Sequence, residues 1–154
     1  MAETVRERIL ARIKTVLEGI SVAGGYRSDI SSVQRYLQSG NSLVNVPCVI
    51  INAGPDKWDQ SRTPVIRSLF SVFLDVWIRQ EENDTTPTDK ILNDLIADIY
   101  QALWADTTLN ENALDINFLS IDPFETIEGQ PHAGVTIELE IMYGFQQSDP
   151  EVVG

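Results

Sequence analysis

Apolar positions along the chain follow two different periods. From Val5 to Ile20 they fall three and four apart, at Val5, Ile9, Ile13, Val16, Leu17 and Ile20, which places them on one face of a helix. Thr4 and Glu7 stand at the T-x-x-E spacing of a capping box, where side chains satisfy free N–H groups at a helix start. Arg6, Arg8, Arg12 and Lys14 occupy much of the remaining surface, and Gly19 and then Gly24-Gly25 predict the helix end and a turn. A second helix is predicted from Thr86-Pro87, with Thr86 as N-cap hydroxyl, Pro87 at the first helical position and Asp89 in the first turn. Ile91, Leu92, Leu95, Ile96, Ile99, Tyr100 and Leu103 form its apolar face, and it is expected to end near Ala105.

Elsewhere the period is two. Residues 65–81 alternate for longest: Ile66, Ser68, Phe70, Val72, Leu74, Val76 and Ile78 make a nearly unbroken apolar face, and Arg67, Leu69, Phe73, Asp75, Trp77 and Arg79 a mixed one. The final strand puts Val135, Ile137, Leu139, Ile141 and Tyr143 on one side and Thr136, Glu138, Glu140 and Met142 on the other. Residues 114–121 alternate as a further strand that Pro123 ends, and 127–131 carry a turn. Residues 46–51 are almost all apolar and β-branched and predict a buried strand, which Ala53-Gly54-Pro55-Asp56 is expected to end; residues 56–64 then form a loop. Residues 26–37 read as a short edge strand with an irregular segment, 39–42 as a loop, 83–86 as a turn, and 144–154 as a flexible polar tail. The order α-β-β-β-α-β-β predicts a single α+β domain over 1–154: a largely antiparallel or mixed sheet of four to five strands with two main helices packed on one face.

Composition narrows the function classes. The chain has 154 residues with a hydrophobic share of 43%, enough for a core without disulfides or metal. Its apolar runs fall far short of the roughly 18–20 residues that span a bilayer, and the charged N-terminus lacks the apolar run of a secretory signal, so no membrane partner is expected and synthesis in a reducing cytoplasm is the simplest reading. The single cysteine, Cys48, excludes an intrachain disulfide and a multi-cysteine zinc site. The net charge of −12 disfavours a general nucleic-acid-binding surface. That charge is segregated: every Lys and Arg lies between Arg6 and Lys90, and residues 91–154 carry acids alone. Such a half is either a solvated surface or one that repels an anion or meets a basic partner.

Catalytic signals are weak. No dinucleotide fingerprint, P-loop, H-E-x-x-H or EF-hand spacing occurs. His132 stands alone, and Cys48 sits in the most apolar run, where a thiol is inert. Glu138 and Glu140 share a strand face, but paired carboxylates with no aromatic platform or Arg beside them are far more often solvated than catalytic. No enzyme activity, cofactor or metal is expected. Interface residues are a better reading of the aromatics: Trp58 in a loop with Lys57, Asp59 and Arg62, and Trp77 beside Arg67 and Arg79, since Trp and Arg are enriched in interface hot spots. For Trp77, core packing is the equal alternative.

As a whole the chain resembles the tail terminator, or tail completion, proteins of long-tailed bacteriophages. The resemblance is carried by the first helix with Gly24-Gly25-Tyr26-Arg27, residues 46–51, the long strand 65–80, the helix with Asp98-Ile99-Tyr100-Gln101-Ala102-Leu103, and the last strand Ile137 to Tyr143 followed by Asp149-Pro150. It implies a structural virion protein at the head–tail junction. Such a subunit forms a homohexameric ring, caps the tail tube protein, ends tail polymerisation and joins a head-completion or neck protein, with DNA passing through unspecifically. On that implication Glu138 and Glu140 are lumen or subunit-interface candidates, Lys57–Thr63 a docking loop, and residues 145–154 a tail that orders on meeting the neck. Another connector or minor tail protein, or a monomeric acidic adaptor, are the alternatives.

Overall fold

The computed structural model describes residues 2–36, 45–60, 64–79, 85–122, 125–126 and 132–154. The loop at 39–42, Arg62, the first half of the turn at 83–86, Pro123 and the turn at 127–131 lie outside the described residues. The fold is α+β. Helices α1 (Val5–Glu18) and α2 (Thr88–Trp104) pack on one face of a seven-stranded mixed sheet. Its strands are β1 (Ser32–Arg35), β2 (Cys48–Asp59), β3 (Val65–Arg79), β4 (Asp115–Ile121), β5 (Glu125–Thr126), β6 (His132–Gln146) and β7 (Asp149–Val153). The main order is β1-β2-β3-β6-β4, with β5 and β7 also paired to β6; among the described residues only the β1–β2 pairing is parallel.

The long alternation is realised as read. β3 and β6 pair antiparallel along their whole lengths, from Val65 opposite Gln146 to Arg79 opposite His132. Phe70, Val72, Leu74 and Val76 are fully buried, and with Val135, Ile137, Leu139 and Ile141 they form the sheet side of the core. Val5, Ile9, Ile13 and Leu17 of α1 and Leu92, Leu95, Ile99 and Leu103 of α2 form its helix side. At the start of α1 the Thr4 hydroxyl accepts from the Glu7 N–H at 3.2 Å. The reciprocal half of the capping box is replaced, because the Glu7 carboxylate turns to Arg35 on β1, with Arg35 Nη2 donating to Oε2 at 3.0 Å.

Four expectations are corrected. First, Ala53-Gly54-Pro55-Asp56 does not end β2; the strand passes through a β-bulge there and continues to Asp59. Gly54 permits it, since a Cβ at that position would stand 2.5 Å from the Phe73 ring, and Pro55 sits where the ladder is interrupted and needs no N–H. Trp58 is therefore on a strand, not in a loop. Second, α2 begins one residue later than read: Pro87 is its N-cap, which has no side chain that accepts a bond, and Thr88 its first residue. Third, Tyr100 leaves the buried face of α2 and is 46% exposed, whereas Asp98 takes a buried position. Fourth, the expected flexible tail folds back: β6 continues to Gln146, β7 pairs with it, and the Gly154 N–H donates to Gly144 O at 3.1 Å.

The segment between α2 and β4 is fastened to α1. Arg12 Nε lies 2.7 Å from Asp106 Oδ2, and Arg8 Nε donates to Asn112 Oδ1 at 2.9 Å. Leu109, Asn110 and Glu111 have positive φ angles of 48°, 58° and 67°, a run that L-residues hold only where surrounding bonds enforce it. Here the Asn110 N–H donates to Asp106 and the Asn112 amide to Leu109 O.

Candidate functional site

The bulge in β2 decides where its polar residues point. Before it, Val49, Ile51 and Ala53 face the helices; the extra residue inverts the parity, so that Asp56 and Trp58 face them instead. Asp56 thus enters a polar cluster beneath α1. Its carboxylate accepts from the Ser68 hydroxyl and, at 2.7 Å, from the Tyr143 hydroxyl, and Arg6 Nε lies 3.2 Å away. The Arg6 guanidinium also lies over the Phe70 ring, 4.5 Å from its centroid. Burial, and then the Asp56 carboxylate, push the Tyr143 phenol well above its usual range. Every group is engaged with another of the cluster, so the arrangement docks α1 on the sheet.

The face opposite the helices gathers most of the residues singled out from sequence. By register, Lys57, Asp59, Arg67, Trp77, Arg79, Glu138 and Glu140 all project to it. Trp58 does not: it lies on the helix side, edge-on to Phe145 at 5.4 Å, and remains 53% exposed. Arg62 lies outside the described residues. Arg67 is engaged within the chain, its Nη1 donating to Gly154 O at 3.0 Å. Trp77 packs with Cys48, Ile50 and Val46 in a small apolar cluster on this face. Its ring lies across Gly134, where a Cβ would come 2.7 Å from Trp77 Cε3 and 2.5 Å from Val76 O. Farther along, Asp75 accepts from Asn52 and Thr136. Lys57 and Arg67 line, with Leu69, Leu114 and Met142, a hollow of about 410 Å³.

Part of the charge segregation is resolved within one chain. Arg12 pairs with Asp106, Arg27 with Asp98, and Lys90 with Asp94. Asp98 is fully buried; its Oδ1 accepts from the Arg27 N–H at 3.1 Å and Nη1 at 3.3 Å, tying the segment after α1 to α2. Asp115, Asp122, Glu138 and Glu140 have no ion pair among the described residues.

A larger hollow lies beside α2, at residues the sequence did not mark as a site. A groove of about 750 Å³ runs between the outer side of α2 and β4, lined chiefly by Ile96, Tyr100, Trp104, Phe118, Leu119 and Ile121. Tyr100 stacks on Trp104 at 5.9 Å and meets Phe118 at 4.7 Å. Trp104 is 60% exposed. The available signal was the i, i+4 pair Tyr100–Trp104, displaced from the Leu92–Leu95–Ile99–Leu103 stripe.

Cys48 is buried, and desolvation pushes its thiol up to about 11, so it is a packing residue. His132 opens β6 opposite Arg79. Among the described residues no group of three or more His, Cys, Asp or Glu is arranged to hold a metal, and no described helix is long and apolar enough to cross a membrane.

No protein-family model matches the chain, and no curated protein matches it. Among solved structures it is similar to a chain in a virion of a native gene transfer agent particle, at 12% identity over 90% of each chain and a TM-score of 0.40, a likeness too low to carry an argument.

Proposed function

We propose that the chain is a structural protein of a phage-type particle, in the role of a tail terminator. Six copies form a ring that caps the tail tube, stops its polymerisation and offers the surface joined by the neck, while DNA passes through the lumen without specific binding. The protein is made in the host cytoplasm, acts in the virion at the head–tail junction, and performs no catalysis. The observation that supports this reading is the full-length pattern of elements: helix, Gly24-Gly25 turn, buried strand, long strand, second helix and the long strand β6 leading to Asp149-Pro150. Glu138 and Glu140, on the uncovered face, fit a lumen wall that repels DNA phosphates.

Native mass measurement and negative-stain imaging, across concentration and with added tail tubes, test this directly. A ring of about 103 kDa seated at one tube end is expected, six times the 17.2 kDa chain. A monomer that never caps tubes rejects the role and leaves a monomeric acidic adaptor; a ring that binds neck proteins but not tubes indicates another connector or minor tail protein. Glu138→Lys with Glu140→Lys tests the lumen assignment: unchanged assembly together with unchanged DNA passage removes it.

A further inference from the structure

Strand β4 ends the sheet, and among the described residues no strand lies along its outer side. An exposed edge is a ready site for a further strand. What distinguishes this edge is that its two faces differ in chemistry. On the helix side, Phe118 and Ile121 border the groove that Tyr100 and Trp104 wall from α2. On the opposite side, Asp115 and Asn117 stand beside Met142 and Glu140, and Ser120 donates to Glu138 at 3.3 Å. Asp115, Glu138 and Glu140 have no ion pair among the described residues, and no Lys or Arg occurs anywhere in 91–154 to supply one locally.

We propose that the β4 edge accepts an extended segment of a partner protein in which apolar and basic residues alternate. Successive side chains of a strand point to opposite faces. A strand added beside β4 therefore sends one set into the aromatic groove and the other over the acids. Apolar residues suit the first, where exposed Tyr and Trp provide anchoring area. Lys or Arg suit the second, where the carboxylates lack a counter-charge. A second copy of this chain does not offer that pattern at its own free edge: β1 places Val33 and Arg35 together on the helix side, with Arg35 held by Glu7, and Ser32 and Gln34 on the other. The proposal competes with the lumen assignment of Glu138 and Glu140, since a basic strand over these acids would cover them, and it is compatible with a ring whose subunits meet through other surfaces.

The probe is a synthetic peptide of about eight residues alternating valine or leucine with lysine. One control carries glutamate for lysine, and a second keeps the composition but breaks the alternation. Titration calorimetry at low salt is expected to show binding of the lysine peptide at least about tenfold tighter than either control, weakening as salt is added. Trp104→Ala and Tyr100→Ala are each expected to lose about tenfold in affinity. Trp104 is exposed, so its variant keeps the wild-type melting temperature; Glu138→Gln with Glu140→Gln keeps the apolar contacts and flattens the salt dependence. Equal binding of lysine and glutamate peptides, wild-type affinity in Trp104→Ala, or no binding up to about 1 mM peptide overturns the proposal. So does a finding that Trp104→Ala abolishes self-association of the chain without altering peptide binding, because the groove is then filled by a second copy.

Discussion

The Tyr143 hydroxyl donates a 2.7 Å hydrogen bond to Asp56 Oδ2, joining β6 to the far half of β2 across the intervening strand β3. The bond exists because a bulge at Gly54-Pro55 turns Asp56 toward the helices. Without it, strict alternation would carry Asp56 to the uncovered face, away from Tyr143, Ser68 and Arg6. Tyr143→Phe leaves Asp56 with its other two partners and is expected to cost about 1–2 kcal/mol. Asp56→Ala leaves two buried hydroxyls without an acceptor and is expected to cost about 3 kcal/mol; urea denaturation of the two variants checks the order. The pair also has a pH signature. The phenol is raised in the fold, so the unfolded chain ionises first. Stability is full below the unfolded tyrosine range and falls as pH rises above about 10, and Tyr143→Phe shows a shallower loss there.

The Glu7–Arg35 pair titrates in the opposite sense. The hydrogen bond from Arg35 holds the Glu7 carboxyl below the ordinary glutamate value of 4.5. Its contribution is present above that value and disappears as pH falls through the lowered one. Glu7 is partly solvated, so Glu7→Gln is expected to cost under about 1 kcal/mol at neutral pH, and the difference vanishes in acid once the Glu7 carboxyl is protonated in the folded chain. Melting temperature against pH for both proteins reads the difference directly.

Gly134 is required by contact with its neighbours, because a methyl group there meets Val76 O and the Trp77 ring. The carbonyl is held in the ladder and cannot move aside as a side-chain tip would. Gly134→Ala is expected to destabilise by about 1–3 kcal/mol. Combining it with Trp77→Ala relieves only the ring clash, so a double-mutant cycle should show partial recovery; full recovery would mean that the carbonyl contact is unimportant.

The C-terminal strand is held from three sides: Arg8 Nη2 donates to Glu151 O at 2.8 Å, Arg67 to Gly154 O, and Gly154 to Gly144 O. Deleting residues 149–154 is expected to lower the melting temperature by several degrees, about 1–2 kcal/mol in a chain of this size, and the Gly154 amide of the full chain should be protected from hydrogen exchange. Immediate exchange at Gly154 would restore the flexible tail read from composition.

Cys48 should resist modification. With its thiol raised to about 11 and its side chain buried, labelling by a disulfide reagent at about pH 8 is expected to proceed only as the protein opens, and to accelerate sharply in denaturant.

Much of this fold follows from local pattern. The alternation in β3 and β6 and the helical spacing in α1 each bury one face, and only one registration of those faces closes the core. The cap at Thr4 and the turn at Gly24-Gly25 are likewise local, because backbone donors and a positive φ at Gly25 have short-range solutions. Tertiary structure decided what depends on distant partners. Gly54-Pro55 reads as a strand end, yet pairing with β3 carries β2 through a bulge. Residues 144–154 read as polar tail, yet Arg8 and Arg67 supply the acceptors' partners from far along the chain. Tyr100 borders the apolar stripe of α2 closely enough to be read as part of it, but the position of β4 places it in a groove with Trp104. Charge segregation is visible in the sequence, and so is the i,i+4 pair of Lys90 and Asp94 on α2; which other acids are neutralised within the chain, and which along β4 and β6 have no ion pair among the described residues, is set only when the sheet and helices bring Arg12 and Arg27 to their partners.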